Sequence, residues 1–457
     1  MNSDPISRDH DRVSVSTIVV YAAPVGAVFF SSFLISTFFM KFATDYLLIA
    51  PAVAGTILLV GQGWDAINDP PIGYWSDRTR TRWGRRRPWF VASAIPLALC
   101  TVALWSPPTW LDETQIVAWT LVVFLLYRTF YSTFRVPHLA LGAEISRGYH
   151  DRTRVFGGSQ LVETIGLLGA TATIGIVENA VDPRETMARI SVYMAIAIVA
   201  FLLGASAYIR EPESHQKPDE QGPFAVFAQV LRNPHARIIL LIFLLEQAGL
   251  TLLLGTMPYF SDWVLRTPGQ TAVYMGTAVL TMLVTIPVWV LLSRRYGKKE
   301  VWLVSKVLRI ALLANVWVLG EGDTALFLVG CVLIGGMASC GTVIGPSIKA
   351  DIIDWDEARS GGRREGAYFA TWNFAQKGAG ALGGWLLGVS LAAFGYDALL
   401  PDQSAQTILG IQFALAYIPL VLTSVSVALL WRFSLDERAH GEAVAAAGAR
   451  GERSSPE

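Results

Sequence analysis

Long apolar segments follow one another along almost the whole chain, and they restrict its fold more than any other feature of the sequence. A membrane-spanning helix needs about 20 apolar residues, and we identify twelve segments of this kind. They lie near residues 17–40, 45–66, 88–106, 115–140, 155–178, 189–209, 236–260, 270–292, 301–320, 324–347, 366–394 and 406–432. Prolines inside several segments are compatible with helices, because neighbouring helices can satisfy the freed backbone groups. The sequence therefore predicts an all-α integral membrane protein with twelve transmembrane helices.

The composition supports this class of protein. Of the 457 residues, 53% are hydrophobic and only 16% are charged, whereas soluble domains are about 25% charged. Lys+Arg and Asp+Glu are equal at 36 each, so the net charge does not indicate a nucleic-acid partner. The three cysteines lie in apolar segments and carry no disulfide or metal signal. We expect the lipid bilayer as a partner, no nucleic acid and no cofactor.

Basic residues are concentrated in the loops on one side of the predicted membrane. The loop after the second segment holds six arginines, Arg78, Arg80, Arg82, Arg85, Arg86 and Arg87. The loops after the odd-numbered segments together hold four basic residues, Lys41, Arg184, Arg189 and Arg266. Because Lys and Arg are enriched in cytoplasmic loops, both termini should be cytoplasmic. The first residues carry no signal-peptide pattern, and we predict a multi-pass protein of a bacterial inner membrane.

The chain also repeats itself. Residues 83–86 (WGRR) are similar to residues 296–299 (YGKK), and the segment from Pro137 is similar to the segment from Pro346. We predict an N-terminal six-helix half at 1–212, a cytoplasmic linker at 213–234, a C-terminal six-helix half at 235–435 and a disordered cytoplasmic tail at 436–457. Two related halves indicate a transporter with its binding site at their interface. Against the rival classes, a membrane enzyme and an ATP-driven pump, the chain has no Ser/His/Asp set and no GxxxxGK(S/T) pattern.

One loop carries the features of a known family. Its motif residues are Gly73, Asp77, Arg78, Gly84, Arg85 and Arg86. The stretch GWDAINDPPIGYWSDRTRTRWGRRRPW resembles the glycoside–pentoside–hexuronide:cation symporters of the major facilitator superfamily, and the likeness runs over most of residues 17–432. We expect alternating access between the two halves, with ion pairs between the motif loop and a partner loop around Arg363 and Arg364 forming a cytoplasmic gate. The alternative is that these basic residues only set the membrane topology.

Two carboxylates on the second segment are candidate ligands of a coupling cation. Asp65 and Asp69 are four residues apart, which places them on one face of a helix, and Asn68 lies beside them. Two adjacent carboxylates repel each other unless a cation or a proton lies between them. The family resemblance implies that this cation is Na⁺ or H⁺ and that Ser132 completes its site. The alternative is that Asp69 lies at a helix break and Asp65 pairs with an arginine.

Candidate substrate contacts are distributed over four segments. Lys377, with Asn373 one turn away, lies in the middle of the eleventh segment, where a lysine needs a counter-charge such as Asp65 or Asp69. The resemblance places the family's two sugar-binding aspartates at Phe29 and Arg135, and its arginine of the fifth segment at Gln160. Tyr131 is a further candidate contact. Arg135 could bind an anionic group, or it could be a structural partner of Asp65, Asp69 or Glu163.

These features together predict the function. We expect a cation-coupled symporter, driven by Na⁺ or H⁺, for a sugar, glycoside or hexuronide. A sodium-dependent symporter of an anionic, amphipathic lysophospholipid is the alternative, because that related group also lacks the sugar-binding aspartates. An uncoupled facilitator is the second alternative. We expect the chain to function as a monomer and not as an enzyme.

Overall fold

The computed structural model describes residues 13–145, 149–211, 230–360 and 365–434. The first half of the chain is built from six long helices. They are α1 (Val15–Thr37), α2 (Pro51–Arg78), α3 (Arg87–Trp105), α4 (Glu113–Ile145), α5 (Tyr149–Glu178) and α6 (Pro183–Tyr208). A short turn at Phe39–Lys41 and a π-helical turn at Phe42–Tyr46 follow α1.

The second half has the same succession of elements. Its helices are α7 (Pro234–Tyr259), α8 (Thr271–Tyr296), α9 (Lys298–Ala314), α10 (Thr324–Ser360), α11 (Glu365–Ala393) and α12 (Ala405–Arg432). A π-helical turn at Phe260–Val264 extends α7, and another at Phe413–Tyr417 interrupts the hydrogen bonding of α12. The predicted linker and tail fall largely on residues outside the described part of the chain, as do Arg363 and Arg364 of the predicted gate.

Ten of the described helices are long and apolar enough to cross a membrane. The two long helices that do not meet this measure are α2 and α11. Both carry polar residues near their middles, among them Asp65 and Asp69 on α2 and Lys377 on α11, and these lower the mean hydropathy. The helices that look least like membrane spans are therefore the ones that carry the predicted charged sites.

The chain divides into two compact units, Met1–Asp219 and Glu220–Glu457. Within the first unit, α1 packs on α5 and α6, α2 packs on α4, and α3 packs on α4 and α6. Within the second unit, α7 packs on α11 and α12, α8 packs on α10, and α9 packs on α10 and α12. The helix pairing of one unit is thus repeated in the other, as the internal sequence similarity predicted.

A glycine allows close packing of the pair α1 and α5 and of the corresponding pair α7 and α11. A Cβ at Gly166 of α5 would lie 2.8 Å from the carbonyl oxygen of Gly26 on α1. A Cβ at Gly383 of α11 would lie 2.6 Å from the carbonyl oxygen of Ala248 on α7. Small residues at such crossings let two membrane helices approach closely, because lipid supplies little hydrophobic drive between them.

The two loops that the sequence repeat singled out also match in structure. Gly84 and Gly297 both have positive φ, +112° and +89° respectively, and a helix begins shortly after each. Arg87 Nε donates to the Ser206 carbonyl at the end of α6. In the second unit, Lys299 Nζ donates to the Phe433 carbonyl just after α12, at 2.6 Å.

Candidate functional site

The candidate cation site lies where α2 and α4 pack side by side in the first unit. Trp64 Nε1 donates to Thr129 Oγ1 at 2.9 Å, which joins the two helices near their middles. Three further contacts share a separation of 63 residues, namely Gly61 with Phe124, Asp65 with Arg128 and Gly73 with Val136. A constant separation means that the helices run parallel. By this register, Asp69 lies level with Ser132.

Asp65 forms an ion pair with Arg128. Arg128 Nε donates to Oδ1 of Asp65 at 3.0 Å, and its terminal NH2 group donates to Oδ2. Asp65 is completely buried and Arg128 is 7% exposed. This bidentate, charge-assisted pairing is the geometry in which a buried carboxylate and guanidinium satisfy each other. The structure therefore supports the alternative in which Asp65 pairs with an arginine. The partner is Arg128, which the sequence analysis did not select.

Asp69 lies one helical turn after Asp65, and α2 continues through Pro70 and Pro71 as far as Arg78. The alternative of a helix break at Asp69 is therefore not what the structure shows, since the other residues of this helix supply the remaining backbone hydrogen bonds around the two prolines. Oδ1 of Asp69 is shielded from solvent. Ionisable groups inside apolar helices usually face the interior of a helix bundle.

Two polar atoms near this carboxylate are shielded without a hydrogen bond. They are Nδ2 of Asn68 and Oγ of Ser132, which have no partner among the described residues. Buried polar groups are nearly always hydrogen-bonded, so the Ser132 hydroxyl calls for a bound ion or water, and the Asn68 Nδ2 group, which can only donate, calls for an acceptor such as water. Carboxylate, amide and hydroxyl groups can supply the oxygen ligands that a hard cation prefers. The residue types therefore fit a small cation at Asp69.

Aromatic residues of α4 line this site. The Arg128 guanidinium lies 5.0 Å from the centre of the Tyr131 ring. Tyr127 is fully buried, stacks against Tyr131 at 6.3 Å and donates to Ser31 Oγ on α1 at 3.1 Å. Cation–π contact and burial hold the guanidinium in one orientation. Tyr131, a predicted substrate contact, thus lies directly against the ion pair.

Arg135 is paired within the same unit. Its terminal NH2 group donates to Oε1 of Glu163 on α5 at 2.9 Å, and the two side chains are 25% and 12% exposed. Of the structural partners considered for Arg135, the structure shows Glu163. An anionic ligand of Arg135 would have to compete with this carboxylate.

The other predicted substrate contacts differ in exposure. Phe29 is partly buried and stacks on Phe33 at 6.2 Å, so it contributes an apolar surface on α1. Gln160 on α5 and Asn373 on α11 are exposed, and Lys377 is partly buried. Lys377 and the two aspartates belong to different units, so a pairing between them stays a prediction, as do the substrate roles.

Three predicted gate residues form an ion cluster with two acidic residues at the loop between α2 and α3. We call it the α2–α3 loop cluster (Asp77, Arg85 and Arg86, with Glu144 and Glu211). Arg86 contacts Asp77 at 2.5 Å and Glu144 at 2.9 Å, and Arg85 contacts Glu144 at 2.6 Å. Glu211 accepts backbone N–H groups from Arg85, Arg86 and Arg87 at 2.5, 2.8 and 2.6 Å. This carboxylate therefore caps the N-terminus of α3, where its charge is favourable.

Other predicted gate residues take local roles. Arg78 lies over the ring of Tyr74, 3.6 Å from its centre, and a Cβ at Gly73 would lie at an ordinary contact distance of 3.7 Å from Val136. In the second unit, Lys298 Nζ contacts Asp351 at 2.6 Å, in the position that corresponds to the contact between Arg85 and Glu144. The described part of the predicted gate is thus an ion cluster inside each unit.

The sequence analysis missed several charged residues that the structure places in buried, partly buried or capping positions. Among them are Arg128, Glu144, Glu211, Glu246, Lys306 and Arg309. In the second unit, Lys306 Nζ donates to Oε1 of Glu246 and to Ser426 Oγ, the latter at 2.8 Å. Since an ionisable residue within an apolar segment is costly, a search for single charges inside spans would have selected Arg128, Glu246 and Lys306.

Two repeated six-helix units, with buried ion pairs inside apolar helices, define a secondary transporter of the major facilitator type. A family model described as MFS/sugar transport protein matches residues 20–437, and the chain belongs to this family. The inner membrane symporter YicJ of Escherichia coli K12 is 26% identical over 402 residues, which cover 87% of this chain and 86% of that protein. The family assignment made from the loop motif is thereby confirmed.

A vertebrate symporter and a solved transporter structure are also similar to this chain. The sodium-dependent lysophosphatidylcholine symporter 1 of Gallus gallus is 25% identical over 472 residues, which cover 94% of this chain and 89% of that protein. The crystal structure of the nucleoside transporter NupG superposes with a TM-score of 0.67 at 14% identity, covering 92% of this chain and 98% of NupG. The likeness to NupG concerns the fold alone.

Proposed function

We propose that this protein is a cation-coupled symporter that moves its substrate by alternating access across a bacterial inner membrane, with twelve spans and both termini in the cytoplasm. The coupling cation is Na⁺ or H⁺. It binds at the acidic site between α2 and α4, where Asp65, Asn68, Asp69 and Ser132 lie. The family and the symporter names of two relatives support secondary transport.

The observation that carries this proposal is the Asp69 carboxylate within an apolar helix, with one oxygen shielded from solvent and in register with the Ser132 hydroxyl. A carboxylate at this depth is costly unless it has a function or a counter-charge. Reversible binding of a cation there changes the charge of the unit. Such a change is what links an ion gradient to the movement of a second solute.

The nominal substrate is a sugar, glycoside or hexuronide, which the family description supports. In the first unit, Phe29 and Tyr131 provide aromatic surfaces of the kind that pack against sugar rings, and Gln160 provides a polar group that can meet hydroxyls. Asn373 and Lys377 of the second unit stay predicted substrate contacts. The ion pair between Arg135 and Glu163 also favours a neutral substrate, because Glu163 already balances the arginine.

A lysophospholipid is the second candidate substrate. It is supported by the name of the Gallus gallus relative and by the apolar rings of Phe29 and Phe33 on α1. For this substrate, the Arg135 guanidinium would leave Glu163 and bind the phosphate. Arg135→Ala should then weaken binding of lysophosphatidylcholine by about 10- to 100-fold, the value of one charge-assisted hydrogen bond, and leave a neutral glycoside unaffected.

Thermal unfolding of the purified protein with candidate ligands tests the function. Neutral glycosides, uronides and lysophospholipids are compared, each with and without Na⁺. A ligand that raises the unfolding temperature more with Na⁺ than without it identifies the transported pair. Uptake of that ligand into proteoliposomes, with and without an imposed Na⁺ or H⁺ gradient, then separates a symporter from an uncoupled facilitator. Uptake that never exceeds equilibration would contradict coupling.

A further inference from the structure

The inner face of α9 carries two basic side chains into the second unit. Lys306 is 2% exposed and Arg309 is 7% exposed, and a spacing of three residues places them on one face of the helix. Val304 and Leu308, on the opposite face, are exposed. Since α9 packs on α10 and α12, both basic side chains lie among the helices of the unit.

Lys306 has well-defined partners. Its Nζ donates to Oε1 of Glu246 on α7 and to Ser426 Oγ on α12, the latter at 2.8 Å, and it lies 4.6 Å from the centre of the Trp302 ring. A carboxylate, a hydroxyl and an aromatic face all stabilise an ammonium group. The negative charge of Glu246 is therefore used by Lys306.

Arg309 lacks a comparable partner. Its Nε is shielded from solvent and has no hydrogen-bond acceptor within the described part of the chain. Its electrostatic partner is Glu246, which is already bonded to Lys306. A guanidinium keeps its proton in proteins, and a buried charge is costly unless it is paired. Two cations and one carboxylate thus leave a single net positive charge in this cluster.

We propose that Arg309 and Lys306 form a binding site for one small monovalent anion, such as chloride, inside the second unit. The anion accepts from the guanidinium of Arg309, and together with Glu246 it balances the two cations. A monovalent ion gives neutrality, whereas a divalent anion would leave a buried negative charge. This site goes beyond the proposed cation-coupled transport and does not depend on it.

The packing of α10 limits the size of the ligand. A Cβ at Gly341 of α10 would lie 3.3 Å from Nε1 of Trp302 and 3.5 Å from Oε2 of Glu246, so this helix closely covers the cluster. Burial of both basic side chains gives the same result. An ion of a few atoms fits such a place better than the anionic group of a sugar acid.

Chloride binding by the full-length protein in lipid nanodiscs tests the proposal. Radiolabelled chloride should bind with a stoichiometry of one. The unfolding temperature should be higher in sodium chloride than in sodium gluconate, because chloride stabilises the folded state that binds it and gluconate is too large for the site. The Na⁺ concentration is the same in every sample, so the result is independent of cation coupling.

Charge variants of the cluster make the test specific. Arg309→Gln and Lys306→Met each remove the excess positive charge and should weaken chloride binding by about 10- to 100-fold. Glu246→Gln removes the competing carboxylate and should bind chloride more tightly than wild type. Arg294→Gln is the matched control, since Arg294 is an exposed residue in the last turn of α8, and its chloride binding should equal that of wild type.

Three results would overturn the anion site. They are a wild type without saturable chloride binding, a folded Arg309→Gln that binds chloride as wild type does, and an equal loss of binding in Arg294→Gln. Arg309→Gln keeps the pair of Glu246 with Lys306, so we expect it to fold in gluconate, where its unfolding temperature checks this. If Glu246→Gln does not fold, Arg309→Gln and Arg294→Gln still decide.

Discussion

The carboxylate of Glu211 occupies the space beside Gly84 that a side chain would need. A Cβ at Gly84 would lie 2.5 Å from Cδ of Glu211, and the same carboxylate accepts the next three backbone N–H groups of the chain. Gly84 itself has a φ of +112°. The family motif therefore places a glycine where both the backbone conformation and the approach of the cap exclude a side chain.

Gly84→Ala should lower the stability of the protein. A positive φ costs a non-glycine residue about 1–3 kcal/mol, and the added methyl group also displaces the Glu211 cap. Thermal unfolding of the purified protein measures the effect. Gly204→Ala is the matched control, because Gly204 is an exposed residue of α6 and no neighbouring atom lies within 4 Å of the position that a Cβ would take. An equal loss in both variants would contradict this account of Gly84.

The two acidic partners of Arg86 should differ in importance. Glu144 is 7% exposed and Asp77 is 44% exposed. Glu144→Ala leaves a buried guanidinium without its main partner, at a cost of about 3–5 kcal/mol. Asp77→Ala removes an exposed ion pair worth about 0–1 kcal/mol. The unfolding temperatures of the two variants provide the comparison. A larger decrease for Asp77→Ala than for Glu144→Ala would contradict the assignment of Glu144 as the main partner of Arg86.

Asp77→Ala should affect gating more than stability. If the α2–α3 loop cluster is the cytoplasmic gate, removal of its exposed member should shift the population towards inward-facing states. Labelling of an introduced cysteine from the cytoplasmic side reports this shift. Unchanged labelling in a correctly folded variant would count against a gating role.

Asp69→Asn should abolish accumulation of substrate against a gradient while it leaves downhill exchange in place. The substitution removes the charge to which the coupling cation binds and keeps the size of the side chain. Proteoliposome uptake with an imposed cation gradient, followed by counterflow without it, distinguishes the two activities. Glu185→Gln serves as the control, since Glu185 is an exposed residue of the first turn of α6. Uphill accumulation by Asp69→Asn would exclude this residue as the cation ligand.

Substitution of Glu246 and substitution of Lys306, the two partners of an ion pair in the second unit, should lower the stability of the protein by different amounts. Glu246 pairs with Lys306 and also interacts electrostatically with Arg309, and both basic residues are nearly buried. Glu246→Gln leaves two buried cations and should cost about 3–5 kcal/mol. Lys306→Met leaves one carboxylate facing one guanidinium, so it should cost about 1–3 kcal/mol. Chemical denaturation of both variants measures this order, which would be reversed if Lys306 alone organised the cluster.

Much of the architecture could be read from local patterns. Apolar segments of membrane length, the excess of arginines in one loop and the similarity of residues 83–86 to 296–299 all concern neighbouring residues. The bilayer offers no water to hydrogen-bond the backbone N–H and C=O groups. A chain of this composition therefore forms helices, in which these groups bond to each other. For the same reason, Asp65 and Asp69 could be selected as candidates from their positions inside one apolar segment.

The ion-pair partner of each buried charge could not be predicted from the sequence, because it depends on how the helices pack. Asp65 and Arg128 are 63 residues apart, and only the parallel register of α2 and α4 brings them together. Arg135 offered several acidic partners in the sequence, and the packing of α5 beside α4 selects Glu163. The cap at Gly84 likewise comes from Glu211, 126 residues beyond Arg85.

The sequence by itself determined that this chain spans a membrane in two repeated halves, because helix formation in lipid depends on local hydrophobicity and on the spacing of residues along one segment. Tertiary structure decided which buried charges neutralise each other. Burial makes an unpaired charge so costly that pairing is obligatory, yet the identity of the partner is set by distance in space, which a list of residues does not contain.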